Sequence, residues 1–172
     1  MKLGNWKVIL AIACTVVLTL SAGWSAGAWS PRHDFELEGT WQVAVTLTNC
    51  STGKPLSPNA FPSILTFANG GTMAEDTTNP AFGHGQRGAG QGFWQYEGHR
   101  TFTAKSIAFI NFDTPTPTTG PAFKMGTQTI EQTIDFTDGP DAWSANATIQ
   151  FADTTGNVYM QGCATATAKR FE

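Results

Sequence analysis

Gly83-His84-Gly85-Gln86-Arg87-Gly88 satisfies the Gly-x-Gly-x-x-Gly string that cradles a pyrophosphate in dinucleotide-binding folds. That chemistry needs a strand before the glycines and a helix start after them, because the helix N-terminus supplies the N–H groups that meet the phosphates. Neither flank reads that way, so the glycines are expected to form a loop, with His84 and Arg87 as its candidates for touching a ligand. Serine-hydrolase chemistry has no support, since no Gly-x-Ser-x-Gly elbow occurs. The histidines, His33, His84 and His99, stand at no ligand spacing from one another or from a cysteine, so no metal site is expected. Glu75-Asp76 and the pair Glu131 and Asp135 read as solvated strand faces rather than as acid–base pairs. No catalytic residue and no cofactor are therefore assigned.

Cys50 and Cys163 are the two cysteines outside the apolar N-terminal stretch. Lys2 and Lys7 precede the apolar run Val8 to Leu20, and small residues ending in Ala26-Gly27-Ala28 follow it, so residues 1–28 are expected to be a secretory signal peptide. The run falls short of the roughly 20 residues that span a bilayer, and no stable membrane span is expected after cleavage. An exported chain with one cysteine pair implies an oxidising compartment, periplasmic or extracellular, and a disulfide. Residues 29–172 then form one domain, with 8 basic residues against 13 acidic ones. A net charge of −5 without clustered Lys and Arg argues against nucleic acid as a partner.

The elements that must position these residues are strands. Apolar residues recur with period two between Gly, Pro and Asn punctuation, and eight strands are predicted: 38–48, 61–68, 72–77, 92–97, 100–113, 123–136, 142–152 and 158–170. Asn69-Gly70-Gly71, Glu97-Gly98-His99, Asp138-Gly139-Pro140 and Thr155-Gly156-Asn157 supply turn residues for hairpins. Placing Cys50 directly opposite Cys163 pairs the first strand with the last, sets Val43 against Arg170 and Leu47 against Ala166, and puts both apolar sets on one face. The expected fold is all-β: an eight-stranded antiparallel up-and-down barrel, first and last strands paired, with the disulfide on its outer wall. The segments 79–91 and 114–121 are longer connections that either cover a barrel mouth or run over the surface.

Continued alternation predicts the inward face. Small residues in mid-strand leave room for a cavity, and its candidate lining is Val45, Phe102, Ala104, Ser106, Ala108, Gln128, Ile130, Gln132, Ala145, Ala147, Met160, Gly162 and Ala164. Packing by neighbouring Phe, Trp and Met is the alternative.

Gly39-Thr40-Trp41 resembles the Gly-x-Trp signature of the lipocalins and their calycin relatives, extracellular barrels that carry small hydrophobic molecules. The resemblance implies that a basic residue of the last strand crosses the tryptophan and closes the barrel base, a role that falls to Arg170, in this register a diagonal neighbour of Trp41 on the same face. The family's Thr-Asp-Tyr segment is met only by Thr137-Asp138-Gly139. The chain as a whole also resembles a group of exported bacterial proteins without assigned activity, on stretches such as Asn49-Cys50-Ser51-Thr52-Gly53 and Gly162-Cys163-Ala164-Thr165-Ala166. The functional expectation is a barrel that binds or carries a small hydrophobic or amphipathic molecule, with the oligomeric state left open. Two rivals stand beside it. One is a barrel enzyme of isomerase or cyclase type resembling allene oxide cyclase; the other is an interaction module with a filled barrel and an exposed patch at Phe93, Trp94 and Tyr96.

Overall fold

The computed structural model describes residues 36–111 and 126–171. They form eight strands: β1 (Gly39–Thr48), β2 (Phe61–Ala68), β3 (Thr72–Thr77), β4 (Gly90–Gly98), β5 (Thr101–Ile110), β6 (Gly126–Phe136), β7 (Ala142–Asp153) and β8 (Val158–Arg170). The strands close in sequence order into an antiparallel barrel, and β1 hydrogen-bonds to β8. The expected fold class is therefore met. The expected signal peptide lies outside the described residues, as does the expected connection 114–121. No helix among the described residues is long and apolar enough to cross a membrane.

The disulfide joins Cys50 to Cys163 with Cα atoms 5.2 Å apart, but it bridges a diagonal pair. Thr48, not Cys50, lies opposite Cys163, and the ladder runs Trp41–Arg170, Val43–Ala168, Val45–Ala166, Leu47–Ala164. The expected register was thus displaced by two residues. Such a displacement leaves every side chain on its predicted face, because the side-chain period of a strand is two. Cys50 sits beyond the end of β1, in a turn that Asn49 caps by accepting from the Ser51 and Thr52 N–H groups at 3.0 Å each.

The two ends of the barrel differ. At one end the strands are joined by the short connections around Gly70, Gly98 and Gly139, where His99 (φ 54°) takes a left-handed conformation beside Gly98 (φ 120°). Here the interior is solid. Trp41 packs on Phe136 and Trp143 with ring centroids 5.7 and 5.8 Å apart, and Phe102 joins Phe136 to Trp94. Leu37 covers this base and accepts the Trp41 indole N–H at 2.9 Å. The Arg170 guanidinium lies 4.3 Å from the Trp41 ring centroid, the contact that the lipocalin resemblance implies, here between directly opposed residues. It also donates to the carbonyls of Glu38 and Glu36 at 2.8 Å each and pairs with Asp141 at 2.9 Å, so one side chain ties the chain entry, β8 and the β6–β7 turn together.

The same packing takes Trp94 out of the aromatic patch expected on β4. Trp94 turns inward onto Phe67 and Phe102, and Tyr96 leans on Phe102 while staying 39% exposed, so of the three rings Phe93 and Tyr96 are exposed and Trp94 is partly buried. Glycine makes β4 fit between its neighbours. A Cβ at Gly92 would collide with the Lys105 carbonyl on β5 and come within 2.7 Å of the Ser106 Cα.

Candidate functional site

The opposite end is the mouth. β1, β3, β5 and β7 finish there and β2, β4, β6 and β8 begin there, so the long connections 49–60 and 78–89 and the 154–157 turn belong to this rim. An apolar depression of about 450 Å³ opens between them, walled by Leu47, Ile110, Ile149, Phe151, Tyr159 and Met160 and bordered by Phe82 of the 78–89 loop. Below it is a smaller inner cavity of about 50 Å³. Leu47, Asn79, Phe82, Gln128 and Ile149 line both spaces and so form the neck between them. A larger hollow of about 630 Å³ lies on the outer wall, among Thr103, Lys105, Glu131 and Thr148. Its Lys105–Glu131 pair is about half exposed, and so open a surface excludes little water from a ligand.

At the neck the chain buries a charge pair. Alternation along β3 places Met73, Glu75 and Thr77 on the inner face, opposite Phe67, Leu65 and Ser63 of β2. Arg87 reaches the same place from the loop, where its backbone bridges Ile110 at the end of β5. Its Nη2 donates to Glu75 Oε1, its Nε to Gln128 Oε1, and its Nη1 to the Gly88 carbonyl at 3.0 Å. The side chains of Arg87 and Glu75 are only 4% and 5% exposed. Burial lowers the Arg87 pKa to about 10, which still leaves the guanidinium charged at neutral pH. Gly90 makes the arrangement possible, because a Cβ there would occupy the space of the Glu75 side chain.

The loop that carries Arg87 is itself hydrogen-bonded. Gln86 is buried, its Oε1 accepts from the Gly83 N–H at 2.8 Å, and its carbonyl accepts from the Asn111 N–H at 2.8 Å. Asn111 Nδ2 donates to the Gly85 carbonyl at 2.9 Å. The glycine-rich string is thus a structured arm that delivers one cation into the barrel. His84 lies exposed on its outer side.

The predicted lining separates into four groups. Val45, Gln128, Ile130, Gln132, Ala147 and Ala164 line the inner cavity, and Gln128, Met160 and Gly162 line the mouth. Phe102, Ala104 and Ala145 belong instead to the packed core of the closed end, because aromatic rings from β1, β2 and β4 fill that half. Ser106 and Ala108 are buried on the inner face, paired with Ile130 and Gln128, and border neither space. Met160 is 49% exposed: the β7–β8 hairpin extends past the rim, so its inward face meets solvent. Of the two spaces, the larger lies at the rim and the inner cavity holds about 50 Å³.

Glu75, expected on a solvated strand face, is buried instead. The signal was present: Phe67 faces Met73 across the Asn69–Gly71 turn, and two residues further on the same face is Glu75. No protein-family model matches the chain, and no curated protein shows significant similarity to it.

Proposed function

We propose that this protein is an exported, lipocalin-like barrel that binds a small hydrophobic or amphipathic molecule in its mouth. The observation that carries this reading is the apolar depression of about 450 Å³ standing over a neck that holds the amides of Asn79 and Gln128. Its volume falls in the range of about 300–1,000 Å³ typical of small-molecule sites. Apolar transfer supplies about 25 cal/mol per Å² removed from water, so such a ligand needs few polar contacts. Export is supported by the Cys50–Cys163 disulfide, and likeness to the lipocalins by the stacking of Arg170 on Trp41. Uptake of the dye N-phenyl-1-naphthylamine, with a one-to-one complex in native mass spectrometry, tests the reading. Gly162→Leu should abolish uptake with the fold retained, because a Cβ at Gly162 meets nothing closer than Ile149 Cβ at 3.9 Å and the longer side chain fills the mouth. A wild-type protein that takes up no dye refutes it.

One observation favours the enzymatic reading: Glu75 presents an ionisable group to the wall of the inner cavity. Arg87 donates to Oε1 by a charge-assisted hydrogen bond, so Oε2 is the oxygen through which the carboxylate would move a proton on a bound substrate. Conversion of a bound ligand by wild-type protein but not by Glu75→Gln would establish it.

A further inference from the structure

We infer that the mouth selects amphipathic molecules whose polar end is uncharged and carries an oxygen, and that this end enters first and accepts a hydrogen bond from the Gln128 amide. The inference rests on the ligand-binding reading above and specifies the chemical class.

Charge at the neck decides the selectivity. Among the described residues, Glu75 is the one charged residue lining the inner cavity, and no Lys, Arg, Asp or Glu lines the mouth. Arg87 cancels Glu75 inside the wall, so the neck is neutral as a whole while a carboxylate still borders the space below it. A ligand carboxylate reaching the neck would leave water, find the nearest guanidinium already engaged by Glu75, Gln128 and the Gly88 carbonyl, and lie against a like charge. A quaternary ammonium would also lose its hydration, and the Glu75 charge that could compensate it is committed to Arg87.

What the neck does offer is amide. Gln128 lines both spaces, and its carbonyl oxygen is taken by Arg87 Nε, which leaves the two N–H bonds of its amide as donors. An alcohol, ketone, ester or amide oxygen satisfies them without bringing a charge. The walls above, Leu47, Ile149, Phe151 and Met160, suit an alkyl or ring body pointing outward.

The test compares three ten-carbon amphiphiles with one tail and different heads, 1-decanol, decanoate and decyltrimethylammonium, as competitors of N-phenyl-1-naphthylamine on the disulfide-bonded protein. At about pH 8 the decanoate is fully ionised. Decanol should compete at least about tenfold more tightly than either ion, the least expected when a buried charge lacks its own partner. Glu75→Gln leaves Arg87 uncompensated, and in that variant decanoate should become the tightest of the three. Should the variant not fold, the wild-type comparison still decides. Dye uptake with equal competition by all three heads, or with preference for an ion, overturns the selectivity and leaves ligand binding standing, whereas absence of dye uptake overturns both.

Discussion

Replacing Arg87 by methionine removes a charge that the fold has almost entirely withdrawn from water, and the consequence can be worked from its partners. Glu75, with a side chain 5% exposed, would be left without its cation, and Gln128 would lose the donor to its carbonyl oxygen. Breaking a buried pair in this way costs about 3–5 kcal/mol, because the surviving charge is left uncompensated. For a domain of this size that lowers the melting temperature by roughly 10–15 °C. Removing both charges, as Glu75→Leu with Arg87→Met, takes away the uncompensated ion and leaves chiefly the unmet Gln128 carbonyl, at about 1–3 kcal/mol. Each single variant should therefore be less stable than the double variant, with a coupling energy of at least about 3 kcal/mol. Urea unfolding followed by tryptophan fluorescence, with the disulfide intact, measures all four corners of the cycle. A coupling below about 1 kcal/mol, the range of surface pairs, would refute the burial on which the neck, and with it the ligand selectivity, is argued.

Four further outcomes are expected. Replacing Cys50 and Cys163 by alanine should destabilise the barrel by about 2–5 kcal/mol in denaturant titrations. Arg170→Ala, which removes the contact with Trp41 and the bonds to Glu36, Glu38 and Asp141, should cost at least about 2 kcal/mol. Arg170→Lys should recover little of it, since a lysine cannot reproduce the planar fork. Gly92→Ala should prevent close pairing of β4 with β5, read as loss of amide protection in both strands. Asp153 accepts from the Thr155 hydroxyl and from the Asn157 N–H, which hold its pKa below the usual value. The support it gives the β7–β8 turn is thus complete above the ordinary Asp value of about 3.9 and is lost as pH falls through the lower folded value. The Asn157 amide shift should titrate there, and a midpoint at or above the ordinary value would contradict the hydrogen bonding.

Period-two alternation and turn chemistry were enough to place eight strands and the inward face of most of them, because both are local: a pleated strand buries every second residue, and Gly70, Gly98, Gly139 and Gly156 adopt the positive φ that turns require. The two cysteines told which strands close the barrel. They could not tell the register, since a disulfide spans diagonal as well as direct neighbours, and a displacement of two residues preserves the burial pattern. The tertiary structure alone decided where the interior is solid. Ala104 and Ala145 carry the same pattern as Ala147 and Ala164, yet the first pair packs under rings contributed by other strands and the second borders a cavity. It also decided the charge at the neck. A glutamate and an arginine 12 residues apart are each ordinary surface residues in sequence; only closure of the barrel, which brings the loop after β3 across its mouth beside β6, removes both from water and obliges them to find each other.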